Sequence, residues 1–215
     1  MKKSKLVSGV GINDADYSVT KMVDGKRQPG CPYYVVWTSM LVRCYSSRFH
    51  SKHLTYRDCT IVKEWQTFSN FRSWMQSQNW QRLHLDKDII FPGNKVYSPE
   101  TCIFVSHQVN SLFTDHAAKR GEWPIGVCYR KKIGKFIAQC SDGDGKRIYL
   151  GLFDDPSEAH HAYLICKSGI VVKVAHKQPD NGVKTALLQR ADDMKNDAMN
   201  IKTSTKFNKE FAKFG

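Results

Sequence analysis

Residues 126–163 read GVCYRKKIGKFIAQCSDGDGKRIYLGLFDDPSEAHHAY, and this stretch decides the fold of the C-terminal half of the chain. Three short segments in it, at 127–130, 135–140 and 147–152, alternate apolar with polar residues. Glycine-containing turns join them, at 133–134 and at 142–145. A period of two, interrupted by short turns of this composition, predicts three antiparallel strands in one sheet.

A helix is predicted directly after the third strand. Asp155 or Ser157 can cap its N-terminus, and Pro156 suits its first turn. Gly169 lies near its predicted end. The residues expected to pack on the sheet are Ala159, Ala162, Tyr163 and Cys166. The C-terminal half is therefore expected to be a three-stranded antiparallel sheet packed on one helix.

The two faces of this sheet are predicted to differ in chemistry. One face is expected to carry guanidinium, ammonium and amide groups, which suit phosphates and base edges. Its members are Arg130, Lys132, Lys135, Gln139, Arg147 and Tyr149. The other face is expected to turn four apolar side chains towards the helix, namely Val127, Ile137, Ile148 and Leu150.

The charge of the chain points to the same class of partner. The 215 residues include 33 basic and 20 acidic side chains, giving a formal net charge of +13 at pH 7. An excess of this size destabilises a compact state by self-repulsion unless a polyanion offsets it. Nucleic acid is the commonest such partner, and release of counterions from its phosphates supplies affinity. A membrane is not expected, because no run approaches the roughly 20 apolar residues needed to span one.

These motifs, in this order, resemble the ethylene-response-factor (APETALA-type) DNA-binding domain over residues 125–172. The strings that carry the resemblance are GVCYR at 126–130, GKFIA at 134–138, YLGLF at 149–153 and SEAHHAY at 157–163. The resemblance implies that the sheet lies in the major groove of double-stranded DNA, with Phe136 among the contacting residues. Cys128 and Ser141 stand where that family has arginine, and Phe136 where it has tryptophan. These departures imply a weaker or different sequence preference.

Cysteine usage favours a reduced, cytoplasmic protein. The seven cysteines are odd in number and scattered, and none forms a Cys-x-x-Cys pair. Disulfide frameworks and tetrahedral zinc sites use closer, paired spacing, so no structural zinc is expected. The basic N-terminus is not followed by an apolar segment of the kind found in secretory signals.

The N-terminal half is predicted to be mainly helical. Residues 1–31 are polar and are expected to form an irregular arm. Apolar residues three or four apart predict one helix over 33–45 and another over 62–80. The aromatic residues of the second helix favour a core position over a base-stacking platform. At the other end of the chain, residues 173–215 are expected to be a helical, basic tail, with a helix over 183–199 and a mobile end.

Residues 84–110 read HLDKDIIFPGNKVYSPETCIFVSHQVN. They predict a short strand, a Pro-Gly-Asn turn, a second strand over 102–105 and the start of a helix. With the two helices ahead of it, this block resembles the core of phage-type HNH endonucleases over residues 32–114. That core is a ββα-metal finger, which cuts DNA with one divalent ion.

The resemblance implies a role for several residues of this block. Asp86 and Asn110 fall on the positions that bind the metal, Mg2+ or Mn2+, and Asn94 falls within the catalytic group. Lys87 stands where the family has its general-base histidine, and Thr101 where it has asparagine. A lysine is protonated at neutral pH, so it cannot take a proton from water, although it could hold a scissile phosphate.

Histidines near this block are alternative bases. His84 and His107 are close in sequence to Lys87, whereas His50 and His53 lie further away. Two functions therefore stay open, a phage homing-type endonuclease and a DNA-binding or regulatory protein that has lost catalysis. An inhibitor of a host protein is a third. A phage origin implies action in the cytoplasm of a bacterial host, and the oligomeric state cannot be read from the sequence.

The predicted fold class is α+β, with N-terminal helices and a ββα-metal finger followed by the sheet, its helix and a C-terminal tail. The predicted order is an arm at 1–31, the finger domain at 32–114, a linker at 115–124, the sheet module at 125–172 and the tail.

Overall fold

The computed structural model describes residues 6–113 and 122–211, with side chains described as far as 202 except at Arg27 and Pro29. The chain has mixed α+β architecture, as predicted. It divides into two compact units, Met1–Ser106 and His107–Gly215. Over the described residues, none of the helices has the length and apolar character needed to cross a membrane.

The boundary between the two units follows Ser106, before the linker predicted at 115–124. Most of that linker lies outside the described residues. The short helix α4, which follows the first unit at His107–Ser111, groups with the second. The reason is local packing. Gln108 donates a hydrogen bond to Asp144, and Phe113 lies under the guanidinium of Arg190 at 4.3 Å.

The N-terminal arm is more ordered than predicted. Strands β1 (Thr20–Val23) and β2 (Lys26–Pro29) form an antiparallel hairpin, so the expectation of an irregular arm is wrong there. Val19 and Cys31, on either side of the hairpin, are buried in the core of the unit. Gly11 is also buried, and a Cβ at this position would lie 2.5 Å from a Leu41 methyl carbon.

The first predicted helix is confirmed as α1, Pro32–Tyr45. The second is shorter than predicted. A 3-10 turn at Lys63–Gln66 precedes α3, Phe68–Gln76, and Thr67 between them is extended. The break arises because the backbone pairs with a distant segment: Ile12 donates to Gln66 O at 2.8 Å and accepts from Phe68 N at 3.0 Å.

The aromatic residues of this region form the core, as predicted. Four of their side chains are at most 2% exposed, namely Trp37, Trp65, Phe68 and Phe71. The Trp37 indole N–H donates to Trp65 O at 2.7 Å, so its polar group is satisfied inside the core.

Short strands complete the first unit. The predicted finger strands are present as β4 (His84–Asp86) and β6 (Ile103–Val105), paired antiparallel. A parallel pair that was not predicted, β3 (Thr60–Ile61) with β5 (Val96–Tyr97), ties the finger loop to the helices. Helix α2 (Ser47–His50) and a 3-10 turn (Leu54–Tyr56) link α1 to β3.

The predicted sheet of the second unit is confirmed. Its strands are β7 (Val127–Arg130), β8 (Lys135–Ser141) and β9 (Arg147–Phe153), in the order β7-β8-β9. Helix α5 (Pro156–Ala175) follows, and the Asp155 side chain caps it by accepting from Ser157 N and Glu158 N.

The region predicted to be a tail is a long helix, α6 (Asn181–Phe211). It is longer at both ends than the predicted 183–199, and its backbone is helical where a mobile end was expected. It packs against α5 and buries Val183, Leu187, Ala191 and Ala198. His161 on α5 reaches Ala198 O at 2.9 Å, so the two helices are joined by a polar contact as well.

Candidate nucleic-acid interface and candidate metal site

The pairing register divides the side chains of the sheet between two faces. Val127 pairs with Ala138, and Tyr129 pairs with Phe136, so each pair points the same way. This face packs on α5, where Val127, Phe136 and Ala138 form a core cluster with Ala159.

Phe136 was predicted to contact DNA, and the structure corrects that position. The side chain is 8% exposed and lies on the helix side of the sheet. Its ring contacts the rings of Trp123 and Tyr129, with centroids 4.8 and 4.9 Å apart. A ring enclosed in this way stabilises the module and cannot reach a base.

The opposite face, called the open face below, carries most of the predicted DNA-contacting residues. Arg130 pairs with Lys135, Gln139 with Tyr149, and Ser141 with Arg147. Side chains alternate along a strand, so these residues lie on the face opposite Ala138. The predicted members brought together here are Arg130, Lys135, Gln139, Arg147 and Tyr149. Lys132 is exposed in the turn between β7 and β8.

The apolar side of the sheet differs from the prediction at one position. Val127 and Leu150 pack towards the helix as predicted. Ile137 lies on the open face, because the register pairs it with Cys128 and Leu152. Ile148 lies opposite Cys140 and therefore on the helix side, as predicted, although it is 37% exposed.

The open face presents cations around an exposed aromatic ring. Arg130 and Arg147 are exposed, and Tyr149 is 59% exposed. Neither arginine has an ion pair within the described residues, whereas Lys135 Nζ lies 2.9 Å from a carboxylate oxygen of Asp154. Lys135 and Ser141, the partners of the two arginines, are six residues apart on β8. At about 3.3 Å per residue, the two ends of the face are about 20 Å apart.

In the first unit, Asp86 ends strand β4. Its Oδ1 accepts from Asp88 N and Ile89 N, both at 2.7 Å, which shapes the turn that follows. Burial raises the pKa of the Asp86 carboxyl, and these two hydrogen bonds oppose that shift. None of the hydrogen bonds described for Asp86 uses Oδ2. A half-buried carboxylate of this kind is a reasonable ligand for a hard cation.

Lys87 is occupied inside the finger. The residue is 5% exposed, and Nζ donates to both carboxylate oxygens of Asp88 at 2.8 and 2.7 Å and to Asn94 O at 2.6 Å. The rings of Tyr56 and Tyr97 lie 5.8 and 5.9 Å from the ammonium. With three acceptors inside the unit, this ammonium holds the loop together and is not presented to a phosphate.

Asn94, like Lys87, has a structural role in the loop. Its amide nitrogen donates to Lys87 O at 3.0 Å and to Val96 O at 2.7 Å, and its Oδ1 accepts from Val96 N at 3.1 Å. The side chain therefore closes the loop 87–96 from within. This geometry supports a positioning role for Asn94 and gives no support to the predicted catalytic one.

The histidines predicted as general bases have different surroundings in the structure. His84 is exposed and lies two residues before Asp86 on β4, so both side chains point to the same side of the strand. The ring nitrogen Nε2 of His50 donates to Arg43 O at 2.8 Å, and His53 stacks on Phe49 with centroids 4.3 Å apart. Of the candidates in the first unit, His84 is therefore the one that accompanies the predicted metal ligand.

The remaining predicted residues lie in the second unit. Asn110 and His107 are on α4, whereas Asp86 belongs to the first unit. Across the described parts of the chain, no group of three His, Cys, Asp or Glu side chains could hold a metal ion. Asp86 alone fits a magnesium-type ion that takes most of its remaining ligands from water and substrate phosphate.

Two residues near Asp86 were missed by the sequence analysis. The guanidinium of Arg43 hydrogen-bonds Tyr97 and interacts electrostatically with Asp86. Burial raises the pKa of the Tyr97 hydroxyl, so it stays neutral beside the arginine. The available signal was an arginine between Met40 and Cys44 on the inner side of a predicted amphipathic helix.

Comparison with protein-family models, with curated proteins and with solved structures returns no match. The two family resemblances therefore stay predictions.

Proposed function

We propose that this protein binds double-stranded DNA through the open face of its C-terminal sheet. One observation carries the proposal. The strand register brings five predicted contact residues onto a single face, opposite the face that packs on the helix. A sheet face whose basic residues are only solvated is not expected to combine arginines, an amide and an exposed tyrosine in this way.

The dimensions and chemistry of the open face suit a DNA groove. The major groove is about 12 Å wide and admits a β-ribbon. Arg130 and Arg147, at opposite ends of the face, would contact phosphates or guanine edges. Gln139 lies between them and can form a bidentate contact with adenine. Tyr149 and the exposed Leu152 offer apolar contact to sugars or thymine methyl groups.

A titration of the full-length protein with a fluorescent 20-bp duplex, at several salt concentrations, tests the proposal. Four to five cation–phosphate contacts on the sheet unit predict a contribution of about −4 to the slope of log K against log salt. Polyglutamate is the matched competitor, since it carries negative charge without a groove, and we expect it to compete poorly. Undetectable binding, or affinity that does not change with salt, would contradict the proposal.

A second function, metal-dependent cleavage of DNA, is favoured by one observation. His84 and Asp86 lie on the same side of β4, so a base and a metal ligand accompany each other. A magnesium or manganese ion, when bound, supplies positive charge that stabilises the leaving oxyanion. Asp86 would hold the ion, and His84 would take the proton of the attacking water. The proposed setting is the cytoplasm of a bacterial host.

Incubation with supercoiled plasmid, with magnesium, manganese or a chelator, tests this second function. We expect cleavage only with a metal, and a loss of at least about 100-fold for His84→Ala and for Asp86→Asn, in line with the contribution of a general base. His176→Ala removes an exposed histidine from the end of α5 and should cleave normally. Intact plasmid with every metal would leave DNA binding as the function, and a host protein would become the next partner to test.

A further inference from the structure

The basic excess of the chain is not confined to the sheet unit. Residues 1–106 contain 15 lysines and arginines and 8 aspartates and glutamates. Two of these cations face carboxylates of the same unit, because Lys87 pairs with Asp88 and Arg43 interacts with Asp86. The unbalanced positive charge of this unit must therefore lie elsewhere on it.

Residues 47–57, with the sequence SRFHSKHLTYR, carry a large share of that charge. The segment has three permanent cations and two histidines and includes no acidic residue. Arg48, Lys52, His53 and Arg57 are all exposed. A segment with this charge on a folded surface is a candidate for binding phosphates.

The segment is held in a defined shape. The Ser46 side chain caps α2 by accepting from Phe49 N at 3.3 Å, and Phe49 stacks on His53 and meets Tyr56 edge-on. His50 is tied to Arg43 O at 2.8 Å. Because the backbone is already ordered, a ligand that binds the cations does not have to order the loop.

Lys95 joins the segment from the finger loop. Its Nζ donates to Thr55 O at 2.9 Å, and its carbonyl accepts from Thr60 N at 2.8 Å. The exposed ammonium is thereby fixed beside the segment. We call Arg48, Lys52, His53, Arg57 and Lys95 the basic patch.

We propose that the basic patch is a second, sequence-independent contact for duplex DNA, on the first unit of the chain. The choice of DNA as the polyanion rests on the function proposed above. A lipid surface fits less well, because membrane-surface segments need a broad apolar face and the segment exposes one large apolar side chain, Leu54. Hydroxyl groups at Ser47, Ser51 and Thr55 interleave the cations, as is usual for phosphate contacts.

Two binding contacts on one chain have a measurable consequence. When one contact engages a duplex, the other meets the same DNA at raised effective concentration. Each phosphate contact also adds about 0.9 to the salt dependence of log K. Removing the patch should therefore lower both the affinity and the steepness of the salt dependence.

The test compares two triple variants of the full-length protein that lose equal charge. The first is Arg48→Gln, Lys52→Gln, Arg57→Gln, and the second is Lys21→Gln, Lys26→Gln, Lys63→Gln, at exposed positions of the same unit. With a 30-bp duplex of arbitrary sequence, we expect the patch variant to lose at least about tenfold in affinity and about 2 to 3 in salt slope. The second variant should change affinity less than about twofold. Equal losses in both variants would overturn the proposal, as would no loss in either.

A third variant separates this proposal from the one on the sheet. Arg130→Gln, Arg147→Gln disables the open face and leaves the patch intact. If this variant loses affinity and the patch variant behaves like its control, the patch proposal is overturned while the sheet proposal stands. If instead the patch variant loses affinity and the sheet variant does not, the patch proposal is supported and the sheet proposal is rejected.

Chemical modification of the unaltered protein gives a further readout. Bound duplex should protect Lys52 and Lys95 from acylation, and unchanged labelling of both would overturn the proposal.

Discussion

Replacement of Arg130 and Arg147 by glutamine is expected to lower the affinity of the full-length protein for duplex DNA by about 100-fold. Both side chains are exposed on the open face, and neither has an ion pair within the described residues. Each arginine contact to a base or phosphate contributes about 1 to 3 kcal/mol, so losing two removes several kcal/mol of binding free energy. Lys135→Gln should cost less, because Lys135 already pairs with Asp154.

Lys173→Gln, Lys177→Gln is the matched control for the sheet variant. Both lysines are exposed at the end of α5 or just beyond it, and their replacement removes the same charge. Fluorescence anisotropy should show an almost unchanged affinity for this control, and circular dichroism should show that both variants are folded. A similar loss in the two variants would mean that net charge, and not the open face, determines binding.

Local signals explain why the sheet could be predicted so closely. Gly134, Gly143 and Gly145 all adopt positive φ in the turns, a conformation that glycine takes without steric cost. The cap at Asp155 likewise depends on neighbouring residues alone. When the end of a strand or helix depends on neighbouring residues alone, it can be predicted from the sequence.

The assignment of residues to faces required more than local pattern. Alternation divides the side chains of each strand into two sets, one for each face of the sheet. It does not show which set of one strand shares a face with which set of the next strand. The register pairs Val127 with Ala138, which places Ile137 on the open face. A register shift between Ala138 and Gln139 changes the correspondence again on β9. Phe136 was predicted to contact DNA from the family resemblance alone, and the register places it on the helix side.

Long-range contacts account for the errors in the N-terminal half. The break at Thr67 depends on Ile12, and the parallel pairing of β3 with β5 joins segments more than 30 residues apart. No local pattern encodes such contacts. The candidate metal site shows the same limit, because the sequence predicted a short strand in the block 84–110 but could not show that the Lys87 ammonium donates to Asn94 O.

Replacement of Gly126 by alanine should destabilise the sheet unit strongly. Gly126 has φ +83, and an added Cβ would lie 2.1 Å from the Tyr163 ring. Tyr163 is buried, and its own Cβ would lie 2.8 Å from the added Cβ, so a rotation of the ring alone does not relieve the overlap. Backbone strain and overpacking together predict a loss of about 3 to 5 kcal/mol in the free energy of unfolding. Urea unfolding followed by circular dichroism measures this loss.

Gly134→Ala is the control, because Gly134 has φ +64 with nothing within 4 Å of the added Cβ, and strain alone predicts a loss of about 1 kcal/mol. Equal losses at the two glycines would contradict the close packing of Gly126 on Tyr163.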